Sequence, residues 1–259
     1  MKVIILAGGY GTRLSEYTDT IPKPMVHVGD KPILEHIMNI YSHFDHKDFY
    51  IALGYKAEII KNFFSEYSKG FIENSLFDNL EKYKEKSFFE FNINNWNVNL
   101  LDTGEKTMTG GRAKRISELI GNETCMLTYG DGVANIDINA LLDFHYNHGK
   151  LITVTAVRPP VRFGELDLDD KNVVVSFKEK PQLKRGWING GFFVIEPKFF
   201  DLISGDNIML EREPMEVAAK NKELIAYRHE GFWQCMDNKR DKDLLNKLWD
   251  QGKAPWLYK

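Results

Sequence analysis

The first half of the chain alternates short apolar runs with longer stretches in which apolar residues recur at helical spacing. Residues 3–7 form an unbroken apolar run of strand length, which is typical of a parallel strand covered on both faces. Pro32 then opens a helix whose apolar residues share one face. A second strand at 48–53 and a helix at 57–67 follow. Because strands that alternate with helices form right-handed crossovers, we expect an α/β fold with a Rossmann-like, mostly parallel sheet flanked by helices.

The second half of the chain has a different pattern, in which short strands follow one another. Segments 163–168 and 173–178 flank a polar turn and predict an antiparallel hairpin. Residues 70–97 mix aromatic and charged side chains without a period, so we expect an irregular insertion there. The sequence contains no internal repeat, linker or low-complexity segment. We therefore expect a single domain over residues 1–259, with a mixed sheet and a small β-rich part.

Charge and composition exclude several classes of function. The net charge of -3 does not support a nucleic-acid-binding protein, which needs a basic face. No run approaches the roughly 20 apolar residues that span a membrane, and the apolar start is too short for a signal peptide. Cys125 and Cys235 lack the spacing of a redox or metal-binding pair, which is typical of reduced thiols. We therefore expect a cytoplasmic protein without nucleic-acid or membrane partners.

A glycine-rich turn with nearby cationic side chains follows the first strand. Three glycines within residues 8–11 would let backbone N–H groups approach phosphate oxygens, and Arg13 and Lys23 would add positive charge. Leu14 occupies the third glycine position of the Rossmann fingerprint, and no lysine follows Gly11 as a P-loop requires. Glycines alone more often form a plain strand–helix connection. Together with the two cationic residues, however, they predict a polyphosphate site.

Two aspartates are candidates for binding a divalent cation. Gly130-Asp131-Gly132 ends a predicted strand, and ligands of open α/β sheets collect at the carboxyl ends of the strands. A carboxylate there suits magnesium, which proteins hold through one or two carboxylates together with substrate phosphates. A lone aspartate is at least as well explained as a turn residue, so a second carboxylate is needed. Asp237, which follows a short aromatic stretch, is the candidate for that second carboxylate.

Three other parts of the sequence carry weaker signals. Lys180 would supply a point charge for a phosphate and Glu179 an acceptor for hydroxyls, although Glu-Lys-Pro segments are common on protein surfaces. Asn189 offers an amide beside two glycines. Thr103, Thr107 and Arg112 would form a lid or a base-recognition surface. Their alternative roles are helix capping and a solvated basic face.

In their order along the chain, these motifs resemble the signature of the sugar-phosphate nucleotidyltransferases. The resemblance covers nearly the whole chain and rests on residues 6–14, 22–24, 130–132, 177–181 and 189–192. Within that family, several segments are most similar to the members that use CTP and glucose 1-phosphate. These segments are 102–104, 109–112, 128–132, 187–193, 231–234, 236–237 and 252–256.

The resemblance implies a nucleotidyltransferase (GT-A-like) fold, in which residues 1–150 mainly bind the nucleotide and residues 151–259 mainly bind the sugar phosphate. It implies transfer of CMP from CTP to glucose 1-phosphate, which gives CDP-glucose and pyrophosphate for deoxysugar and surface-polysaccharide synthesis. The cofactor would be Mg²⁺.

The resemblance also assigns roles to particular residues. Arg13, Lys23 and Asp131 would be catalytic, and Asp131 and Asp237 would hold the metal. The nucleotide-binding residues would be Leu6, Ala7, Gly8, Gly9, Tyr10, Gly11, Thr12, Arg13, Thr107, Arg112 and Gly130. The residues that bind the sugar phosphate would be Lys23, Glu179, Lys180 and Asn189.

Several points stay open at this level. The same chemistry could use UTP or dTTP in place of CTP, or a different sugar phosphate, and a non-catalytic nucleotide-sugar sensor is a more remote alternative. The chain departs from the family pattern at 70–97 and 181–186, which leaves the acceptor sugar and the subunit contacts open. The resemblance implies a homo-oligomer, with a hexamer as the arrangement to test.

Overall fold

The computed structural model describes residues 1–67, 88–93, 95–159, 165–168, 170, 173–178 and 186–258. The strands in these ranges are β1 (Lys2–Leu6), β2 (His27–Val28), β3 (Lys31–Pro32), β4 (Asp48–Leu53), β5 (Phe88–Ile93), β6 (Trp96–Asp102), β7 (Cys125–Tyr129), β8 (Gly132–Ala134), β9 (Ile152–Val157), β10 (Glu165–Leu168), β11 (Val174–Lys178), β12 (Ile188–Ile195), β13 (Leu224–His229) and β14 (Trp233–Cys235).

The α-helices are α1 (Ser15–Thr18), α2 (Ile33–His43), α3 (Ala57–Tyr67), α4 (Thr109–Ile120), α5 (Ile138–His148), α6 (Glu213–Lys220) and α7 (Lys239–Asp250). Short 3₁₀ helices cover Thr12–Leu14, Lys23–Met25 and Pro197–Leu202. No helix in the described ranges combines the length and the apolar character needed to cross a membrane.

One mixed sheet of eight strands organises the described part of the chain, in the order β13-β9-β12-β7-β1-β4-β6-β5. The pairs β1–β4, β1–β7, β4–β6 and β9–β13 are parallel. Strand β12 runs antiparallel to both of its neighbours, and β5 runs antiparallel to β6. The predicted α/β fold with a mostly parallel sheet is therefore confirmed.

Two hydrophobic cores lie on opposite faces of this sheet, because successive strand side chains point to opposite sides. In β1, Val3 and Ile5 belong to one core, whereas Ile4 and Leu6 belong to the other. Helices α2, α3, α5 and α7 supply the first core. Helices α4 and α6, with the 3₁₀ helix Pro197–Leu202, supply the second. Burial on both faces explains why these strands appear in the sequence as unbroken apolar runs.

The predicted hairpin in the second half is present, since β10 and β11 pair antiparallel. The prediction of an irregular segment over 70–97 is wrong for its last part: β5 pairs antiparallel with β6 and extends the sheet by one strand. Residues 70–87 lie outside the described ranges. Phe91 and Trp96 are both buried in the first core, so the aromatic residues that obscured the pattern are packing residues.

A buried histidine joins the end of the chain to the first core. His36 on α2 has no solvent exposure; its Nε2 hydrogen-bonds the Val28 carbonyl (2.9 Å), and the indole N–H of Trp256 donates to its Nδ1 (3.2 Å). Because an indole N–H is only a donor, Nδ1 must be the acceptor and the imidazole is neutral. Burial lowers the pKa of His36 below its usual value, against the smaller, opposing effect of the Val28 bond.

We expect this histidine to make stability fall in acid. A histidine whose folded-state pKa is depressed stabilises the fold above the unfolded pKa of about 6.5, and this contribution is lost as pH falls, by at most about 1.4 kcal/mol per pH unit for one proton. His36→Gln should therefore show a smaller drop in Tm between pH 7.5 and pH 5.5 than the wild type. His27→Gln, at an exposed site, is the matched control. Identical pH slopes in both variants would contradict the prediction.

Candidate active site

A cavity of about 590 Å³ opens at the carboxyl ends of the parallel strands. This is the edge of an α/β sheet where ligands normally bind. Its wall includes all the residues predicted to bind a nucleotide, which are Leu6, Ala7, Gly8, Gly9, Tyr10, Gly11, Thr12, Arg13, Thr107, Arg112 and Gly130. Lys23, Asp131 and Asn189 also line it. Glu179 and Lys180 lie outside the described residues.

The glycine turn is shaped by close contacts beneath it. A Cβ on Gly8 would lie 2.2 Å from Nη1 of Arg112, so position 8 has no room for a side chain. Gly11 has φ of +64°, a conformation that glycine adopts without strain. Its carbonyl accepts hydrogen bonds from the Leu14 N–H (2.9 Å) and the Thr18 hydroxyl (3.0 Å). The helix after this turn, α1, is only four residues long. This agrees with the absence of a Rossmann or P-loop motif from the sequence.

Lys23 lies between the two predicted metal ligands. Its Nζ donates to Oδ2 of Asp131 (2.6 Å) and to Oδ1 of Asp237 (2.8 Å), and Arg13 forms a further ion pair with Asp237. Lys23 and Asp237 are buried, whereas the Arg13 side chain is 76% exposed. Asp237 thus reaches the site through two cationic residues that both line the cavity. The structure therefore brings together Arg13, Lys23, Asp131 and Asp237, four of the charged residues predicted for the site.

The charge state of Lys23 is set by these carboxylates. Burial alone would lower its pKa, but the charges of Asp131 and Asp237 and their hydrogen bonds outweigh burial and hold the pKa of the ammonium above its usual range. The group is therefore a permanent cation at neutral pH. It is available to an anionic ligand that competes for it with the carboxylates.

The register of a small sheet explains how two aspartates 106 positions apart in the numbering meet. Strands β8 and β14 pair antiparallel, with Gly132 opposite Cys235. The Met236 N–H then donates to the Asp131 carbonyl (2.7 Å), so Asp131 and Asp237 lie at the same end of the paired strands. The Asp237 N–H is held by Oδ2 of Asp241 in α7 (3.1 Å).

The two carboxylates form a donor set that fits a divalent cation. They converge on one point, which Lys23 Nζ marks, and hard oxygen donors are the ligands that Mg²⁺ and similar ions prefer. No group of three or more candidate metal-ligating residues is found among the described residues. A cation here would therefore complete its coordination with substrate oxygens and water, as is usual for Mg²⁺.

Arg112 supports the glycine turn from below. The residue is only 4% exposed, which excludes the solvated basic face considered as its alternative. Its guanidinium donates to the carbonyls of Leu53 (2.7 Å), Gly8 (3.0 Å) and Glu105 (3.1 Å) and to the Thr103 hydroxyl (2.7 Å). Burial lowers the pKa of Arg112. The four bonds come from Nη1 and Nη2, so Arg112 holds the turn and the 103–105 loop together.

We expect Arg112→Met to destabilise the protein and to weaken nucleotide binding. The variant loses four hydrogen bonds from a charged group, for which we expect a cost of about 3 kcal/mol in the free energy of unfolding. Arg115→Met is the control on the same helix, because Arg115 is paired with Asp206, whose side chain is half exposed. We expect about 1 kcal/mol there. Denaturant unfolding and nucleotide titration measure both effects, and equal losses in the two variants would contradict this role.

A second set of polar residues on the cavity wall was missed in the sequence. The Tyr129 hydroxyl donates to Oε1 of Glu211 (2.6 Å) and accepts from Nδ2 of Asn189 (3.1 Å). The Thr109 hydroxyl donates to the other oxygen of Glu211 (2.7 Å). Tyr129 immediately precedes the Gly130-Asp131-Gly132 turn, which is a usable signal. Glu211 follows no recognisable motif, and only the tertiary structure places it in the cavity.

Tyr10 and Glu105 face each other at another part of the wall. The Tyr10 hydroxyl donates to Oε1 of Glu105 (3.3 Å), and the Tyr10 ring packs against that of Tyr55, with centroids 5.1 Å apart. The Tyr10 side chain is 45% exposed. An exposed ring beside the glycine turn can stack on a planar ligand.

Close-approaching backbone, buried cations and paired carboxylates at the carboxyl edge of an α/β sheet fit a phosphorylated nucleotide. A family model described as nucleotidyl transferase matches residues 2–250 of the chain. The chain therefore belongs to the nucleotidyl transferase family and is a nucleotidyltransferase. The resemblance drawn from the motifs is confirmed.

Individual relatives agree with this assignment. The chain is 50% identical over 259 residues to a Salmonella typhi protein named glucose-1-phosphate cytidylyltransferase. The matched region covers 99% of this chain and 98% of that protein. It is 29% identical over 253 residues to the mannose-1-phosphate guanyltransferase of Saccharomyces cerevisiae, covering 95% of this chain and 63% of that protein.

Solved structures show the same fold. HddC from Yersinia pseudotuberculosis complexed with GMP-PN superposes with a TM-score of 0.69 at 22% identity, over 96% of this chain and 99% of that chain. A UDP-glucose pyrophosphorylase complexed with UDP-glucose superposes with a TM-score of 0.68 at 18% identity, over 97% of this chain and 98% of that chain. The predicted nucleotidyltransferase fold is therefore confirmed.

Proposed function

We propose that this chain transfers CMP from CTP to α-D-glucose 1-phosphate, giving CDP-glucose and pyrophosphate. The observation that carries the proposal is the 50% identity, over 99% of the chain, to a protein named for this reaction. In the reaction, a phosphate oxygen of glucose 1-phosphate attacks the α-phosphorus of CTP. The bond from that phosphorus to the oxygen bridging to the β-phosphorus breaks, and pyrophosphate leaves with the electron pair. A role in deoxysugar and surface-polysaccharide synthesis remains part of the proposal.

The geometry of the site supports separate roles for its residues in this reaction. The turn at 8–13 would receive the nucleotide phosphates through backbone N–H groups and Arg13. Lys23 would exchange a carboxylate for a phosphate oxygen and neutralise charge that develops at the α-phosphate. The attacking phosphate is already ionised, so the reaction needs no general base. Alignment and charge neutralisation then supply the rate enhancement.

Asp131 and Asp237 would hold Mg²⁺, whose bound charge would neutralise phosphate oxygens and orient the leaving group. The β8–β14 register and the buried ammonium of Lys23 bring these carboxylates to one point. The ion would then replace Lys23 as the partner of these carboxylates.

The sugar-phosphate side of the site is proposed from fewer observations. Asn189 lines the cavity and is oriented by its bonds to Tyr129 and to the Gly191 N–H (2.8 Å), which supports a place near the sugar. Glu179 and Lys180 remain predictions for the sugar hydroxyls and phosphate. The division of the chain at residue 150 and the homo-oligomer, tested as a hexamer by light scattering, also remain predictions.

The test of the proposal is a substrate matrix. CTP, UTP, dTTP, GTP and ATP are each combined with several sugar 1-phosphates in Mg²⁺ buffer, and pyrophosphate release is measured. We expect the highest kcat/KM for CTP with glucose 1-phosphate. A different preferred pair would replace the substrates while keeping the reaction, and the guanyltransferase relatives make GTP with mannose 1-phosphate the pair to include. Binding of CDP-glucose without any turnover would favour a sensor.

A further inference from the structure

We infer that Glu211 is a positioning residue that holds two sides of the cavity in one arrangement. The nucleotide side is the turn at 8–13 with Arg112, and the acceptor side is Tyr129 with Asn189. The inference rests on the proposed function, because it assigns Glu211 a role within that reaction. Both carboxylate oxygens of Glu211 are used: Oε1 accepts from the Tyr129 hydroxyl (2.6 Å) and Oε2 from the Thr109 hydroxyl (2.7 Å). Tyr129 ends β7, Thr109 begins α4, and both line the cavity.

The direction of every hydrogen bond in this network is determined by its neighbours. The Thr109 oxygen accepts from the Leu210 N–H (2.9 Å), so its own proton goes to Glu211. The Tyr129 oxygen accepts from the Asn189 amide (3.1 Å), so its proton also goes to Glu211. A carboxylate is the acceptor that satisfies both hydroxyls. A carboxamide at this position could keep the Tyr129 bond through its oxygen, but it could meet the Thr109 hydroxyl only as a donor.

The ring of Tyr129 is held as tightly as its hydroxyl. A Cβ on Gly191 would lie 2.6 Å from Cδ2 of Tyr129, and Gly191 has φ of +79°, so the backbone there is shaped around the ring. The Phe193 ring packs edge-on against it at 5.7 Å. Contacts therefore fix both the ring and the hydroxyl of Tyr129.

Glu211 ends a segment, residues 206–211, that is hydrogen-bonded along the start of α4. The Met108 N–H donates to the Asp206 carbonyl (2.8 Å), and the Gly110 N–H donates to the Ile208 carbonyl (3.0 Å). One turn further along, α4 carries Arg112, which holds the glycine turn. Glu211 thus connects the support of the nucleotide turn to Tyr129, and through it to Asn189. Losing this connection would let the acceptor side shift relative to the nucleotide side.

The consequence is a defect in positioning the acceptor. Orienting two substrates for in-line attack is a large part of the catalytic effect in such reactions. We expect Glu211→Ala to lower kcat/KM for glucose 1-phosphate roughly 20-fold, the scale of one hydrogen bond to a charged group. The KM for CTP should change by less than about twofold, because the turn and Arg112 are intact.

The experiment is a double-mutant cycle with steady-state kinetics on the full chain. The variants are Glu211→Ala, Tyr129→Phe, their combination, and Glu211→Gln. Because Glu211 acts through Tyr129, kcat/KM of the double variant should be no lower than that of the more impaired single variant. Glu211→Gln should recover most of the activity, since its carbonyl can accept the Tyr129 proton. Glu213→Ala, two positions away on an exposed face, is the matched control and should leave the kinetics unchanged.

Independent, additive losses from Glu211→Ala and Tyr129→Phe would overturn the inference. So would equal increases in both KM values accompanied by a lowered Tm, which would indicate a purely structural role. Failure of the proposed function has a different signature, because the wild type itself would then not turn over CTP with glucose 1-phosphate. In that case the cycle is measured with the pair identified by the substrate matrix, and its additivity decides the role of Glu211.

Discussion

Replacing Lys23 by methionine is expected to lower kcat by roughly 10²- to 10³-fold, the usual cost of removing one group that neutralises transition-state charge. The methionine keeps the length of the aliphatic chain but removes the cation that lies 2.6 Å from Asp131 and 2.8 Å from Asp237. Because the proposed reaction gathers negative charge at the α-phosphate, a loss in kcat should exceed any change in KM for CTP. Pyrophosphate release at saturating CTP and glucose 1-phosphate measures it.

Lys61→Met is the matched control for this substitution. Lys61 is also buried (6% exposed) and also paired with a carboxylate, Glu58 (2.7 Å), but it lies on α3 away from the cavity wall. Thermal unfolding of both variants separates loss of stability from loss of chemistry. If Lys23→Met retained more than about a third of wild-type kcat, or if Lys61→Met lost as much, the catalytic assignment of Lys23 would be wrong.

Asp131→Asn is the substitution with the second largest expected effect. It removes one of the two charges that converge on a single point, so the site should need more Mg²⁺ for half-maximal activity, and kcat should fall by roughly 10²-fold. Asparagine keeps the shape and can still accept a hydrogen bond from Lys23, so we expect a change in Tm of only a few degrees. A Mg²⁺ titration of activity at fixed substrates measures the shift.

The control for the aspartate is Asp137→Asn. Asp137 caps α5 through the Ala140 N–H (2.9 Å), and asparagine is an equally good capping residue. That variant should match the wild type in Mg²⁺ dependence and in kcat. An unchanged Mg²⁺ requirement in Asp131→Asn would remove Asp131 from the proposed metal site and leave it as a partner of Lys23 alone.

Local sequence patterns predicted much of this site because its parts are local. A glycine turn after a buried strand places residues 8–13 at the strand's carboxyl end whatever the rest of the fold does. The same argument placed Asp131 after β7. The residues that line the cavity at these two positions were therefore predicted without any knowledge of long-range contacts.

The contacts that organise the site are long-range, and patterns along the chain do not encode them. The sequence around Arg112 is typical of an exposed basic helix face, yet Arg112 is buried among four acceptors from three separate segments. Tyr129 and Glu211 are 82 positions apart and meet because the segment before α6 crosses the start of α4. Strand β5 was missed in the sequence, because this edge strand is rich in aromatic residues and has no distinct period.

The sequence by itself determined the class of fold, the strand-end positions of the glycine turn and Asp131, and which charged residues are candidates for the site. These follow from side-chain periodicity and turn chemistry, which act over a few residues. Only the tertiary structure decided that Lys23 is held between Asp131 and Asp237, that Arg112 supports the turn, and that Glu211 joins the two sides of the cavity. Charge pairing and burial depend on which segments the sheet order brings together, and that order is a property of the whole chain.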